Sequence, residues 1–408
     1  MKVCLYTAIP EREQFRRLVR PPFQRARSSA RHALNRLWTN LSGSLQFDDF
    51  HYQIANDLDD NSNRGDIAIR IAVRQQVSDA MGRHKVEFIE TKWGELTNEI
   101  VDDINRECDL FVVCGGGYIF VFGDGTGGRC FEDLPYLKNI RCPIVAYGIG
   151  MNRLMHEQVC NLRDLPSKTQ AQIADFAGLC SSIGVRDAHT LDLVKLYGGR
   201  PVSLMGDPVL FLKDEQAVAV DGKSVSSPSI GINLAAHGWR ALAVLKPHLA
   251  DIIQLLKYAQ SSYGVTYTYL LHHDFEEMVV SFLRKQGIRM TVVRADALTL
   301  LNSYGGLDFV ICQMLHSCIF SANREVPFFN IAYDQKSVAF CDLLDVPQCV
   351  LPHWDANFEN LRGRFVELFE GRAGLKSTLI AAKKPLASAQ KEFAQNLMCL
   401  TDVIASGE

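Results

Sequence analysis

Short apolar runs rich in β-branched residues alternate along this chain with longer stretches whose apolar residues recur at helical spacing. Because parallel strands are usually joined by crossover helices, the alternation predicts an α/β fold. The strands predicted for the first half are Val3–Ala8, Lys85–Glu90, Leu110–Cys114, Ile144–Gly148 and Ser182–Val185.

The same alternation resumes after a polar interval and continues to the last fifth of the chain. The predicted elements are strand Ile230–Leu234, helix Leu245–Ser261, strand Val265–Leu271, helix Phe275–Gln286, strand Met290–Val293, helix Ala295–Tyr304, strand Phe309–Cys312 and helix Ser317–Asn323. Two further helical patterns follow from Asn357 to the end of the sequence.

A length of 408 residues exceeds what one hydrophobic core usually organises, and it indicates two domains. The polar stretch between Asp214 and Ser229 has the composition of an interdomain linker. We therefore expect an N-terminal α/β domain at 1–215 with an insertion at about 11–62, a linker at 216–229, a C-terminal α/β domain at 230–350 and C-terminal helices at 351–408.

Composition narrows the class of protein without naming a function. Charged residues make up 22% and the formal net charge is −3, so bulk charge favours neither nucleic acid nor a membrane as a partner. The twelve cysteines have mostly apolar neighbours and no C-x-x-C spacing, which is typical of buried thiols in a reducing cytosol. The apolar N-terminus is too short for a signal peptide, and no window is long enough for a membrane span. We expect a cytoplasmic protein.

Several predicted strands of the first half end in glycine or in a polar residue. The carboxyl ends of parallel strands form one edge of a sheet, where ligands of open α/β sheets bind. The segments expected to meet at this edge are Cys114-Gly115-Gly116-Gly117, Tyr147-Gly148-Ile149-Gly150 and Val185-Arg186-Asp187.

Two short stretches about 250 residues apart carry the candidate chemistry. Asn63-Arg64-Gly65-Asp66 is a small-residue turn that opens a helix and is able to place backbone N–H groups against an anion. His316 adds a titratable imidazole just after an apolar strand. Together they predict a two-domain enzyme that handles a phosphorylated small molecule in a cleft.

The order of these pieces resembles the polysaccharide pyruvyl transferase family, from about Asn63 to about Pro347. Each motif is weak alone, and their order is what makes the resemblance specific. The matching pieces are Asn63-Arg64-Gly65-Asp66, Gly115-Gly116-Gly117, Ala146-Tyr147-Gly148-Ile149-Gly150, Val185-Arg186-Asp187 with Thr190 and Leu191, Gly206-Asp207-Pro208, His272-His273-Asp274, Leu315-His316, Val326-Pro327 and Tyr333-Asp334-Gln335-Lys336.

The resemblance implies a fold and an activity. The fold is two facing Rossmann-like domains arranged as in B-type glycosyltransferases, with parallel sheets and helices on both faces. The activity is transfer of the carbon skeleton of phosphoenolpyruvate to a sugar of a polysaccharide, or of its lipid-linked precursor, to form a pyruvate ketal. Phosphoenolpyruvate is a co-substrate, and neither a metal nor another cofactor is required.

Phosphoenolpyruvate carries a carboxylate and a phosphate, so its site needs cations and an acid that protonates the methylene carbon. His316 suits the acid because an unperturbed imidazole has a pKa of about 6.5. Arg186 would hold the departing phosphate, and Asp66 or Asp187 would act as base or orienting group. The other predicted substrate-binding residues are Asn63, Arg64, Gly65, Gly115, Gly116, Gly117, His272, His273, Asp274, Met314, Leu315 and Lys336.

One position departs from a frequent family pattern, because Met314 stands where many relatives have an arginine before Leu-His. A thioether cannot grip a phosphate or carboxylate as an arginine fork does. We therefore expect Arg186, Lys336 and the backbone at Asn63 to Asp66 to supply the anion contacts.

Structural interpretations of the same residues stay open. His316 would be a half-buried structural histidine, Asp187 a helix cap with Arg186 solvated, and the glycine run close-packed backbone. Two other functions also remain: a B-type glycosyltransferase that uses a nucleotide sugar, and a catalytically impaired sugar-binding homologue in which Met314 marks the loss of activity.

Residues 11–41 contain eight arginines against two glutamates. Within this segment Ala30, Ala33, Leu34, Leu37, Trp38 and Leu41 follow helical spacing and form one apolar stripe beside basic residues. One hypothesis is that this helix lies on the anionic inner leaflet of the plasma membrane, where a lipid-linked acceptor would be presented. The alternative is a helix packed on its own domain or on a second subunit of a homo-oligomer.

Overall fold

The computed structural model describes residues 1–11, 63–82, 85–121, 127–153, 155, 165–213, 227–235 and 238–406. The predicted basic helix at 11–41 and most of the predicted linker lie outside the described residues. Among the helices of the described ranges, none is both long and apolar enough to cross a membrane.

The first half of the chain builds one parallel sheet of six strands in the order β2-β1-β3-β5-β7-β8. Strands β4 and β6 form a separate two-stranded pair beside it. The elements are β1 (Lys2–Thr7), α1 (Arg64–Met81), β2 (Glu87–Lys92), α2 (Asn98–Glu107), β3 (Leu110–Cys114), β4 (Ile119–Phe120), a 3₁₀ turn (Arg129–Asp133), α3 (Leu134–Leu137), β5 (Ile144–Ile149), β6 (Met151–Asn152), α4 (Ser167–Leu179), β7 (Cys180–Val185), α5 (Ala188–Gly198), β8 (Ser203–Leu204) and a 3₁₀ turn (Pro208–Phe211).

The second half builds another parallel sheet of six strands, in the order β11-β10-β9-β12-β13-β14. Its elements are β9 (Ser229–Asn233), α6 (Gly238–Tyr263), β10 (Thr266–Leu270), a 3₁₀ turn (Asp274–Glu276), α7 (Glu277–Lys285), β11 (Met290–Val293), α8 (Ala297–Tyr304), β12 (Phe309–Cys312), α9 (Leu315–Asn323), β13 (Phe328–Ala332), α10 (Gln335–Leu343), a 3₁₀ turn (Pro347–Cys349), β14 (Val350–Pro352), a 3₁₀ turn (His353–Asp355), α11 (Phe358–Glu370) and α12 (Arg372–Ser406).

The central strands are buried on both faces, as expected for parallel sheets covered by helices. Every residue of β3, with the sequence LFVVC, is at most 1% exposed, and every residue of β12, with the sequence FVIC, is 0% exposed. Such continuous apolar runs suit strands that have no solvent face. The predicted α/β fold with parallel sheets is therefore confirmed.

Two helices connect the halves of the molecule. Helix α1 follows β1 in the chain, yet it packs against α8 of the second half as well as against β3. The last helix, α12, returns to the first half, where it packs on α1 and β8 and where Phe393 meets the ring of Tyr147 edge-on at 5.5 Å between centroids. The first turn of α1 thereby lies where the two sheets face each other.

Candidate functional site

A cavity of about 510 Å³ lies between the two halves at the carboxyl ends of their strands. Both halves line it. Of the predicted site residues, the cavity brings together Asn63, Asp66, Gly117, Arg186, Met314, Leu315, His316 and Lys336.

His316 is the second residue of α9, and its imidazole rests directly on the backbone of α1. A Cβ atom built on Gly65 would lie 1.8 Å from Nδ1 of His316 and 2.0 Å from its Cγ. The imidazole can occupy this position only because residue 65 is glycine, since a larger residue would displace the ring. On the cavity side, Nε2 of His316 lies 3.8 Å from Oδ1 of Asp66.

The turn that opens α1 has its backbone donors occupied. Oδ1 of Asn63 accepts from the N–H of Gly65 at 3.1 Å and of Asp66 at 3.4 Å, as an N-cap residue does. The N–H of Arg64 donates to the carbonyl of His272 at 3.0 Å. In this structure the N–H groups predicted to bind an anion thus donate to the side chain of Asn63 and to the carbonyl of His272.

Arg186 supplies a buried cation at the end of β7. Its guanidinium lies 3.5 Å from a carboxylate oxygen of Asp187 and 3.7 Å from one of Asp207, and the residue is 3% exposed. Its Nη2 has no hydrogen-bond partner among the residues that the structure describes. A Cβ on Gly150 would lie 2.1 Å from Nε of Arg186, so the guanidinium lies over bare backbone. Arg186 thus lines the cavity with its guanidinium held between two buried carboxylates.

The carboxylates beside Arg186 are themselves deeply buried. Burial raises the pKa of Asp207 to about 6, while the charge of Arg186 opposes that rise. Asp187 caps α5 by accepting from the N–H of Thr190 at 2.7 Å and from its hydroxyl at 2.8 Å. Asp187 does not line the cavity, and its contacts are those of a helix cap. The other part of that interpretation, a solvated Arg186, is wrong because Arg186 is buried.

Lys336 supplies a second cation, and it comes from the other half of the molecule. It is the second residue of α10, its Nζ lies 3.0 Å from Oδ2 of Asp334, and its side chain is 14% exposed. Burial raises the pKa of Asp66, and the charges of Lys336 and Arg186 then lower it again. A carboxylate from α1 is thus flanked by cations from both halves.

The glycine run after β3 shapes the floor of the cavity. Gly115 and Gly116 adopt positive φ values of 42° and 69°, a conformation that favours glycine. A Cβ on Gly116 would lie 2.9 Å from the ring of Trp93, and one on Gly117 would lie 2.9 Å from Asn152. Of the three glycines, Gly117 lines the cavity. Gly115 and Gly116 allow neighbouring side chains to pack closely against the backbone.

Eight predicted substrate-binding residues lie outside the cavity lining: Arg64, Gly65, Gly115, Gly116, Asp187, His272, His273 and Asp274. Arg64 forms an ion pair with Asp274 at 2.8 Å and donates to the carbonyl of Ala295 at 3.2 Å. These contacts join α1 to the second half. The ring of His272 is buried, its Nε2 lies 2.6 Å from the hydroxyl of Tyr304, and burial lowers its pKa to about 3. His272 is therefore a neutral structural imidazole.

The cavity also contains three aromatic residues that are not among the predicted site residues. Trp93, Phe120 and Tyr333 line it, together with Ala8 and Asn152. The indole N–H of Trp93 donates to the carbonyl of Tyr6 at 2.8 Å, which fixes the ring in place. Trp93 follows a strand within a polar stretch. Nothing in the spacing of its neighbours distinguishes a tryptophan that lines a site from one that belongs to the core.

Met314 is 2% exposed and lines the cavity immediately before the first turn of α9. At this position a longer cationic side chain would reach the same space as Arg186 and Lys336. The described residues contain no group of three or more His, Cys, Asp or Glu side chains placed to hold a metal ion.

The family model for polysaccharide pyruvyl transferases matches residues 63–335. The chain belongs to the polysaccharide pyruvyl transferase family. The matched segment begins at the N-cap of α1 and ends at the start of α10. It therefore contains both His316 and Arg186 of this pyruvyl transferase family member. No curated protein matches the chain in sequence.

Solved structures place this pyruvyl transferase family member in a known architecture. The chain is similar to UDP-GlcNAc 2-epimerase from Neisseria meningitidis bound to UDP-GlcNAc, with a TM-score of 0.53, 11% identity and coverage of 81% of this chain and 96% of that one. It is also similar to S. aureus MnaA in a co-structure with UDP, with a TM-score of 0.53, 12% identity and coverage of 84% and 96%. At such identities the likeness shows the fold, and the predicted B-type arrangement of two facing Rossmann-like domains is confirmed.

Proposed function

We propose that this protein transfers the pyruvyl skeleton of phosphoenolpyruvate to two hydroxyl groups of a sugar and forms a pyruvate ketal. The observation that carries the proposal is that two cations from different halves of the molecule, Arg186 and Lys336, line the same cavity as His316. A ligand with two anionic groups needs two separated cations, and phosphoenolpyruvate is such a ligand. The cavity is also large enough for a donor and a sugar ring together.

The reaction begins with proton transfer. His316, as an imidazolium, donates a proton to the methylene carbon of phosphoenolpyruvate. The methylene group becomes a methyl group, and the neighbouring carbon becomes an oxocarbenium-like centre. One sugar hydroxyl attacks that carbon and gives up its proton to a base. We assign this role to Asp66, whose carboxylate lines the same cavity and lies 3.8 Å from Nε2 of His316.

The second half of the reaction closes the ketal. The bond between the central carbon and the phosphate oxygen breaks, and Arg186 stabilises the charge on the departing phosphate. A second hydroxyl of the same sugar attacks the carbon and its proton leaves with the phosphate. The products are one pyruvate ketal and one inorganic phosphate, so atoms and charge balance without a redox step.

The aromatic side of the cavity suits the acceptor. Trp93 is held by its N–H bond to Tyr6 and by an edge contact with Tyr118 at 5.3 Å between ring centroids. A fixed ring that lines the same cavity as the amide of Asn152 offers an apolar face for a sugar, and the amide offers a polar contact that orients it. We therefore place the donor between the cations and the acceptor against Trp93.

Incubation of the purified protein with phosphoenolpyruvate and a mixed saccharide fraction from the producing cell tests the proposal. Phosphate release that requires saccharide, together with a new methyl signal in the product, is expected. UDP-N-acetylglucosamine is the competing donor. Release of UDP instead of phosphate would replace this proposal by a nucleotide-sugar transferase.

A further inference from the structure

The first turn of α9, which places His316 at the catalytic cavity between the two halves, is held by a buried chain of side-chain hydrogen bonds. Oγ of Ser317 lies 2.7 Å from Oη of Tyr304, and that Oη lies 2.6 Å from Nε2 of His272. All three residues are 0% exposed. A hydroxyl both donates and accepts, so Tyr304 can bond to both neighbours at once. The chain therefore runs from α9 through α8 to the segment after β10.

The far end of this chain reaches the first turn of α1. The carbonyl of His272 accepts from the N–H of Arg64 at 3.0 Å. Gly65 is the next residue of α1, and the ring of His316 rests on it. The first turns of α1 and α9 are thus connected twice, once by the direct contact at Gly65 and once through Tyr304.

The two connections restrain the imidazole in different ways. A van der Waals contact opposes closer approach strongly and separation only weakly. Hydrogen bonds have a preferred length and oppose a change in either direction. A movement of α9 away from α1 would open the Gly65 contact and lengthen the 3.8 Å between Nε2 of His316 and Oδ1 of Asp66. The chain through Tyr304 opposes that movement.

The ring of Tyr304 also packs, and this packing can be kept while the hydroxyl is removed. The ring meets the ring of Phe320 on α9 edge-on at 5.6 Å between centroids, and the ring of His272 at 6.0 Å. Phenylalanine at position 304 keeps both ring contacts and removes only the oxygen. His272 is neutral, because burial lowers its pKa to about 3, so the loss of that oxygen leaves no charge without a partner.

We propose, on the basis that His316 transfers the proton as proposed, that Tyr304 is a positioning residue for His316. Its hydroxyl keeps the first turn of α9, and with it the imidazole, at a fixed distance from α1. Misplacement of a reacting group by 1 Å costs about 100-fold in rate, so a hydroxyl remote from the substrate can govern kcat. Tyr304 does not line the cavity, so its loss should leave donor binding unchanged.

Two variants each remove one link of the chain, and each has a matched control. Tyr304→Phe is compared with Tyr267→Phe, another buried tyrosine of the second half, whose Oη donates to the carbonyl of Leu256 at 2.6 Å. Ser317→Ala is compared with Ser321→Ala, one turn further along α9, where the buried Oγ has no hydrogen-bond partner among the described residues. Within each pair the chemical change is the same, and only the first member interrupts the chain.

The first readout separates kcat from donor binding. Phosphate release gives kcat, and calorimetry without acceptor gives the Kd for phosphoenolpyruvate. In Tyr304→Phe and Ser317→Ala, kcat should fall by about 10–100-fold while Kd stays at the natural value. Both controls should keep the natural kcat. The double variant should lose no more than the weaker single variant, because both substitutions interrupt the same chain.

The second readout does not require turnover. NMR signals of the His316 ring, in protein with isotope-labelled histidine, report the surroundings of the imidazole and are assigned by their absence from His316→Gln. They should shift in Tyr304→Phe and Ser317→Ala. In Tyr267→Phe and Ser321→Ala they should coincide with those of the natural protein.

Unchanged His316 signals in both chain variants, or equal changes in variants and controls, would overturn the proposal. A natural kcat in Tyr304→Phe and Ser317→Ala would overturn it as well. If the natural protein binds no phosphoenolpyruvate, the proposed function fails separately. The His316 signals then still decide whether Tyr304 positions the imidazole: a shift confined to the chain variants supports this role, and its absence refutes it.

Discussion

Replacement of Gly65 by alanine is the sharpest perturbation of the catalytic cavity that the structure offers. Gly65 has an ordinary helical backbone, so alanine meets no conformational penalty there. Its Cβ would lie 1.8 Å from Nδ1 of His316. Ordinary contact begins near 3.4 Å, so the ring must move by about 1.6 Å.

Such a displacement should affect turnover more than folding. Overpacking of this kind costs about 1–3 kcal/mol of stability. Misplacement of a reacting group by 1 Å costs about 100-fold in rate, which corresponds to about 2.7 kcal/mol. We therefore expect kcat for phosphate release from phosphoenolpyruvate to fall at least ~100-fold in Gly65→Ala, with cooperative unfolding retained.

Gly363→Ala is the matched control. Gly363 lies within α11, and a Cβ there would meet nothing within 4 Å. The same chemical change should leave turnover at the natural level and slightly stabilise the helix. Equal activity of Gly65→Ala and Gly363→Ala would contradict this prediction, because the imidazole would then tolerate a shift that the proposed proton transfer forbids.

Three further predictions concern single side chains. His316→Gln should lower turnover by about 10²–10⁴-fold and leave phosphoenolpyruvate affinity within a few-fold of the natural value; retained turnover would remove His316 from proton transfer. Trp93→Ala should raise the KM for the saccharide while the Kd for phosphoenolpyruvate, measured without acceptor, stays the same; a parallel loss of both would place Trp93 at the donor. His272 has a folded pKa of about 3, below its unfolded value of about 6.5, so the stability it contributes is lost as pH falls through that range. Urea unfolding of the natural protein and of His272→Gln at pH 7, 6 and 5 measures this loss. The free energy of unfolding of the natural protein should fall by up to about 1.4 kcal/mol per pH unit more than that of the variant. A difference between the two proteins that is the same at all three pH values would refute this prediction.

The fold was largely predictable because the buried strands are continuous apolar runs. Strands β3, β11 and β12 have the predicted bounds. Strand β13 (Phe328–Ala332) was missed, since it follows a proline and carries Asn330 at its centre. The fold accommodates that polar residue because its amide donates to the carbonyl of Cys312 at 3.3 Å, a partner that only the tertiary structure provides.

The candidate site was predictable where a charged or titratable residue follows a strand. His316, Arg186 and Lys336 meet on one cavity as the sequence suggested. Arg64 and Asp274 are as polar as these three residues and also belong to quoted motifs, yet they form an ion pair with each other between the two halves of the molecule. The sequence carries no signal for that choice, because it depends on which faces of the two halves come into contact.

Cations from both halves are proposed to bind one donor that carries two anionic groups, a carboxylate and a phosphate. Titration calorimetry of phosphoenolpyruvate with the natural protein, Arg186→Gln and Lys336→Gln measures this binding directly. Saturable binding is expected, weakened about tenfold or more by each substitution, since a hydrogen bond to a charged group contributes about 1.5–3 kcal/mol. Absence of binding to the natural protein, or affinity unchanged by either substitution, would contradict the account.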